Sequence, residues 1–383
     1  MLDSPPPLFI GLMSGTSLDG VDGVLVRLND AEEIGGTDST NVLAFAHIDF
    51  SSELRAALFA LQQSGFDEIH REALASNQLA HCYAACVSEL LRLANADATQ
   101  VQAIGAHGQT IRHRPELGYT RQIINGALLA ELTGIDVVTD FRSRDIAAGG
   151  QGAPLVPLFH QHMFGSKTHR RVIANVGGIG NISVLGMSSD DAAVVGFDTG
   201  PGNVLLDLWT ERHLGQAYDA GGKWASSGVV DAALLHKLLN EPFFALPPPK
   251  STGRDLFNAA WLDRQLVDFA DVPAANVQAS LTELTALTLS NAVHKQAPDA
   301  DALYICGGGA FNTYLLTRIE AALARHGSAL HVLSTATLGL PPDQVEALAF
   351  AWLAQRCVQR KSGNSPSVTG ATGKRVCGAL YPC

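Results

Sequence analysis

Basic residues are scarce and nowhere clustered. Lys and Arg number 26 against 37 Asp and Glu, a formal net charge of −11 over 383 residues. Such a chain repels nucleic acid and anionic membranes at long range, which leaves a small molecule as the expected partner. Long apolar runs are missing as well, since Gly, Pro or a charge interrupts each one before the roughly 18–20 residues of a membrane span. The opening Met1-Leu2-Asp3-Ser4-Pro5-Pro6-Pro7 lacks the basic and apolar regions of a secretory signal, so no export is expected. Six cysteines at 82, 86, 306, 357, 377 and 383 form no C-x-x-C pair or regular spacing, which favours reduced thiols in a cytoplasm over a disulfide frame. His160, His162 and His169 have no metal-ligand spacing.

What is present is an apolar fraction of 46 % punctuated by 37 Gly and 17 Pro, on a length that predicts two domains. Apolar runs predict a three-stranded meander at Leu8–Met13, Gly23–Leu28 and Val42–Phe50, then helices at Glu53–Gln62 and Ile69–Ala94. A strand at Val101–Ala106, another at Arg121–Ile124, a short helix at Ala127–Leu132 and a strand at Ile135–Thr139 follow. From Arg171 the order begins again, with strands at Val172–Val176, Ile182–Leu185 and Ala193–Phe197 and a helix at Val204–His213. Helices fill 228–296, and Ala302–Cys306, Phe311–Arg325, Leu330–Leu333 and Asp343–Gln359 read as strand, helix, strand, helix. The pattern predicts an α/β protein of two duplicated domains facing a cleft, 1–140 with about 345–383 and 141–344, divided near 140–150. The Gly/Ser/Pro/Thr-rich tail, Ser362–Lys374, is expected on the surface.

The first turn of the meander, Ser14-Gly15-Thr16-Ser17-Leu18-Asp19-Gly20-Val21-Asp22, crowds small residues and hydroxyls where backbone N–H groups could meet a phosphate. Asp19 and Asp22 repel phosphate directly but could hold Mg²⁺ through water; a plain hairpin is the alternative. Gly177-Gly178-Ile179-Gly180-Asn181 is the equivalent turn of the second meander, so the two could grip one polyphosphate. It is not a dinucleotide fingerprint, because Ser183 stands where the third Gly belongs.

Phe197-Asp198-Thr199-Gly200-Pro201-Gly202-Asn203 sets Asp198 at a strand end, where it is a candidate general base or else a turn cap, with Asn203 available as the N-cap. Cys306-Gly307-Gly308-Gly309-Ala310-Phe311-Asn312 would let a base or ribose lie on the backbone, or is a tight turn. Gly105-Ala106-His107-Gly108-Gln109-Thr110, running on to Arg112, His113 and Arg114, and Asp140-Phe141-Arg142-Ser143-Arg144-Asp145 also follow strand ends. Their amides, imidazoles and guanidinium groups suit a polyhydroxylated substrate carrying a carboxylate, while Arg144 could simply pair with Asp145. Gly370-Ala371-Thr372-Gly373-Lys374 lacks the spacing of a phosphate loop.

Gly11 to Asp22, Gly105 to Thr110, Asp140 to Pro154, Phe197 to Asn203, Pro249-Lys-Ser-Thr-Gly-Arg254 and Glu346 to Ala354 together resemble the anhydro-N-acetylmuramic acid kinase family over nearly the whole chain. The resemblance implies an actin-like, sugar-kinase-type fold of two ribonuclease-H-like domains. It implies a cytoplasmic enzyme of peptidoglycan recycling that uses ATP, Mg²⁺ and water to open the 1,6-anhydro ring of 1,6-anhydro-N-acetylmuramate, giving N-acetylmuramate 6-phosphate. By the same resemblance Asp198 is the general base, Gly15 to Asp22 bind ATP, and Glu346 faces the sugar, with a salt bridge to Arg142 as its structural alternative. The expected site thus comprises Asp198; Gly15, Thr16, Ser17, Leu18, Asp19, Gly20, Val21, Asp22, Gly178, Asn181, Gly307, Gly308, Gly309 and Asn312 for nucleotide; and His107, Gln109, Thr110, Arg142 and Glu346 for sugar. Asp19 and Asp22 are the metal candidates. A homodimer is admitted, and an ordinary amino-sugar or hexose kinase or a chaperone-like ATPase are the competing functions.

Overall fold

The computed structural model describes residues 6–15, 17–29, 40–187, 194–328 and 330–383. Contacts divide the chain into two compact units, Met1–Phe164 with Asp343–Cys383, and Gly165–Pro342.

In the first unit β1 (Leu8–Met13), β2 (Gly20–Leu28) and β3 (Thr40–Asp49) form the antiparallel meander. β4 (Val101–Ala106) lies parallel to β1, and β5 (Gln109–Arg114) pairs with β6 (Tyr119–Ile123) as a separate hairpin. β7 (Val137–Thr139) is parallel to β4, giving the order β3-β2-β1-β4-β7 with the short strand Ala379–Tyr381 at the edge. Every residue of β1 is buried because both of its faces are covered, the condition under which a strand reads as an unbroken apolar run. Leu8, Ile10 and Leu12 join Leu79, Tyr83 and Leu90 of helix Glu68–Ala94 in one core. The alternate residues meet helix Val345–Val358, whose Ala- and Leu-rich surface is buried nearly all round. That helix comes so close that a Cβ on Gly11 would overlap the carbonyl of Ala347, and one on Gly105 the carbonyl of Phe350.

Three local expectations change. Helix Val156–Phe164 was not anticipated; its Phe159 ring lies 5.9 Å from Trp352, and the helix belongs to the first unit. The division therefore falls after Phe164, later than 140–150. The tail 362–374 is packed rather than superficial. Asn364 Nδ2 and Thr369 Oγ1 donate to Asp145 Oδ1 at 2.6 and 2.7 Å, and Gly152 N–H donates to Oδ2 at 2.8 Å. Asp145 is completely buried, so those polar tail residues supply the hydrogen bonds its burial demands.

In the second unit β8 (Arg171–Val176), β9 (Ile179–Val184) and β10 (Val195–Pro201) repeat the meander, and β11 (Ala302–Cys306) and β12 (His331–Ser334) extend it in parallel. The order β10-β9-β8-β11-β12 is again third, second, first, fourth, fifth. Two sheets with the same strand order in one chain are the duplicated α/β pattern that the sequence predicts. Val172, Ala174 and Leu303 pack on Leu289 and Val293 of helix Ala274–Gln296 and on Ile319 of helix Thr313–Arg325.

Candidate functional site

Open α/β sheets bind ligands beyond the carboxyl ends of their strands, and Ser14 after β1, His107 after β4, Gly177 after β8 and Gly307 after β11 stand at such ends. In the first unit the chain leaves β1 through Ser14, whose hydroxyl meets Tyr83 Oη at 2.8 Å and donates to the Gly108 carbonyl at 3.1 Å. Gln109 Nε2 donates to the Gly15 carbonyl at 3.1 Å, so two contacts tie this hairpin to the segment after β4. Burial raises the Tyr83 phenol above its ordinary pKa, against the opposing effect of Ser14, and the phenol stays neutral. Thr16 lies outside the described residues. Ser17 is half-buried, and Leu18 holds a left-handed φ of 56° with its side chain buried. Asp19, exposed, accepts the Gly20 N–H at 3.0 Å, and Gly20 and Val21 are buried in β2. Asp22 Oδ1 lies 2.7 Å from Nδ1 of its cross-strand partner His47, whose Nε2 lies 3.3 Å from Asp49. The Asp22 bond is the main cause that raises the His47 pKa to about 9.

His107, which follows β4, is buried, and its Nε2 accepts from Arg142 Nε at 3.2 Å and Nη2 at 3.1 Å. Burial first, and the Arg142 charge second, push its pKa well below the ordinary value, so the imidazole is neutral and can accept. Arg142 Nη1 is spent on the Gly152 carbonyl at 2.9 Å. Of the other arginines nearby, Arg112 pairs with Glu68 and Arg114 with Glu116, and Arg144 makes no ion pair with Asp145. Thr110 is half-buried in β5, and Glu346 is half-buried in the first turn of helix Val345–Val358.

In the second unit β-sheet register sets Asn175, Asn181 and Asp198 side by side on three adjacent strands, with Cys306 beyond Asn175. Asp198 is 6 % exposed, and its Oδ2 accepts the Thr252 N–H at 2.9 Å. Its own N–H donates to the Lys250 carbonyl at 3.3 Å. Lys250 is itself buried: Nζ donates to the carbonyls of Phe243 and Phe244 at 3.1 and 3.3 Å and stands 4.5 Å from the Phe243 ring centre. Burial lowers its pKa, with Lys295 acting the same way and Asp198 opposing. Asn203 holds the N-cap position of helix Val204–Leu214 without a side-chain cap; its Nδ2 donates to the Val176 carbonyl at 3.1 Å instead. Gly178 is buried and its carbonyl receives the N–H groups of Gly202 and Val204 at 2.9 and 3.0 Å, lacing the two turns together. Asn312 Oδ1 caps helix Thr313–Arg325 through the Leu315 N–H at 3.0 Å, after the turn Gly307, Gly308 and Gly309.

Each unit, taken by itself, shows two features that fit a bound ligand. Gly15 has nothing within 4 Å of where a Cβ would stand, and Gly177 and Gly308 have only Ile179 O at 3.8 Å and Asn203 Nδ2 at 3.6 Å, so all three face open space. The buried Gln109 Oε1, Asn175 Oδ1 and Asn181 Oδ1 have no hydrogen-bond partner, a cost that a donor-bearing ligand would relieve. For Mg²⁺ the donor set is sparse: among the described residues no cluster of three or more ligating side chains exists. Asp22 is engaged by His47, so Asp19 fits better, in keeping with an ion that retains waters and takes one carboxylate plus phosphates. Sequence reasoning quoted Lys250 and Thr252 only inside a motif and missed His47, Tyr83 and Asn175. Each acts through a tertiary or cross-strand contact that spacing does not reveal.

A curated anhydro-N-acetylmuramic acid kinase of Paraburkholderia xenovorans is 55 % identical over 381 residues, covering 99 % of this chain and 99 % of that one. One of Burkholderia lata is 56 % identical over 375 residues, 98 % of this chain and 96 % of its own length. A solved structure of a ROK family glucokinase from Streptomyces griseus, in complex with glucose and AMPPNP, aligns over 91 % of this chain and 99 % of that one, with a TM-score of 0.42 and 12 % identity. The sequence model described as anhydro-N-acetylmuramic acid kinase matches residues 7–383, and with these relatives it shows that the chain belongs to the anhydro-N-acetylmuramic acid kinase family.

Proposed function

We propose that the chain is an ATP-dependent kinase that opens the 1,6-anhydro ring of 1,6-anhydro-N-acetylmuramate with water and phosphorylates O6, giving N-acetylmuramate 6-phosphate and ADP in peptidoglycan recycling. Membership of the family across residues 7–383 carries this reading and sets aside the ordinary hexose kinase and the chaperone-like ATPase. Asp198 takes a proton from water as its oxygen attacks C1; the C1–O6 bond breaks, and O6 attacks the γ-phosphorus as ADP leaves. Transfer to phosphorus neutralises the charge growing on O6, the part an acid plays in an inverting glycosidase. The Thr252 N–H holds the carboxylate in place, and near-complete burial strengthens its electrostatic effect on the water.

The open faces of Gly15, Gly177 and Gly308 admit phosphates to backbone N–H groups, Mg²⁺ held through Asp19 would stabilise phosphoryl oxygens, and Asn181 offers its unpaired amide oxygen. For the sugar we assign the Arg142–His107 pair, Gln109, Thr110 and Glu346. A cytoplasmic location, where both ATP and reduced thiols are found, belongs to the same reading. Mass spectrometry of the products formed from ATP and the anhydro sugar in oxygen-18 water tests the mechanism. Label at C1 of a 6-phosphate is expected, and unlabelled phosphorylated sugar would overturn hydrolytic opening.

A further inference from the structure

The Gly370–Lys374 run, which fails as a phosphate loop and takes no part in the site above, borders a cavity of about 650 Å³ in the first unit. Arg144, Arg360, Lys374 and Arg375 line it. Asp136 is the one carboxylate among the lining residues, and its Oδ1 already accepts the Cys383 N–H at 3.0 Å. Four cations around one concavity invert the sign of a chain whose net charge is −11. Their mutual repulsion is relieved when an anion enters.

None of the residues assigned above to nucleotide, sugar or proton transfer lines this cavity. Gln102, the second residue of β4, and Asp136, just before β7, set one wall of it at the amino ends of two strands, and Arg144 joins the lining from the short helix Ser143–Ile146 that follows β7. His107 follows the opposite end of β4, and five residues of strand extend roughly 16 Å. The wall is partly fixed: the Arg375 N–H donates to Asn364 Oδ1 at 2.7 Å and its Nη1 to the Lys374 carbonyl at 2.9 Å. Asn364 is the residue that also holds buried Asp145, so the basic pair hangs from a rigid support.

We propose that this cavity is a second anion site that binds a phosphate monoester of hexose-phosphate size. The guanidinium forks of Arg144, Arg360 and Arg375 match phosphate oxygens, with Lys374 as a point charge. Its volume exceeds what free phosphate needs and lies within the usual range for small-molecule pockets of about 300–1,000 Å³, while Cys357 and Leu380 offer apolar wall for the carbon frame.

The test titrates the full chain calorimetrically with N-acetylglucosamine 6-phosphate, and in a second arm with inorganic phosphate. Binding to the wild type and to the phosphate-loop variant Gly15→Val is expected to be equal. The double variant Lys374→Ala/Arg375→Ala should bind at least tenfold more weakly, with kcat for ATP and sugar unchanged. Arg144→Gln, on a different element and exposed, should weaken binding in the same direction if the double variant is unstable. Equal affinity for inorganic phosphate would keep the site and assign it to the free anion. An ester that fails to bind the wild type, binds the double variant and Arg144→Gln as tightly as the wild type, or is lost in Gly15→Val overturns the proposal.

Discussion

The backbone N–H of Thr252 donates to Oδ2 of Asp198 at 2.9 Å across 54 residues of sequence. A buried carboxylate is thereby oriented by main chain, which a side-chain substitution at the donor would leave in place. Asp198→Asn should therefore keep the fold and nucleotide affinity while losing roughly 10²- to 10⁴-fold in kcat, the usual worth of a positioned base. A coupled ADP assay with a parallel melting curve decides it, and near wild-type turnover would remove the assignment.

Lys250 supports the same segment from beneath. Lys250→Met would leave the carbonyls of Phe243 and Phe244 without their shared donor, a loss of about 1–3 kcal/mol in stability. Because the Lys250 carbonyl also receives the Asp198 N–H, kcat should fall with KM for ATP little changed. Denaturant titration and steady-state kinetics on one preparation would expose a purely structural role as a lower midpoint with kcat intact.

Gly15 faces open space, so Gly15→Val should fold normally yet obstruct phosphate. Losing about one charge-assisted hydrogen bond weakens ATP by roughly tenfold to a hundredfold. Calorimetry should find affinity for the sugar unchanged; unaltered ATP affinity would take the hairpin out of the phosphate site.

His47 gains its partner on folding, and its pKa rises from 6.5 to about 9, chiefly through Asp22. Its contribution to stability is fully present below pH 6.5 and is lost as pH climbs through 9. The wild-type melting temperature should thus decline across that window, and His47→Gln should flatten the decline. The pair is partly exposed, so the effect is modest and should shrink further in salt. Parallel slopes for the two proteins would contradict the linkage.

Strands whose two faces are covered were legible almost to the residue: β1 and β11 carry unbroken apolar runs and lie where those runs predict. Strand β5 was not, because Gln109, Thr110, Arg112 and His113 read as a polar segment and only the pairing with β6 makes them extended. Asp198 stood out by its glycine-rich flank, whereas Thr252 and Lys250 reach it only through tertiary folding. The tail misled for a related reason. Gly, Ser and Thr usually mark surface loops, but Asn364 and Thr369 are buried to satisfy one carboxylate 219 and 224 residues away.

The helix Val345–Val358 that seats against Gly11 and Gly105 also sets a timetable. A ribosome making this chain releases β1 to β4 early, yet the helix that covers one face of that sheet arrives only after all of 165–342 has been made. At ordinary elongation rates that interval lasts roughly 10 to 35 s. Meanwhile the half-built first unit presents Phe9, Val24 and Val26 to solvent, while 165–342, one continuous stretch, can complete its own core. The unit that starts first finishes last, and during the wait its uncovered sheet face is the surface that a nascent-chain chaperone would meet.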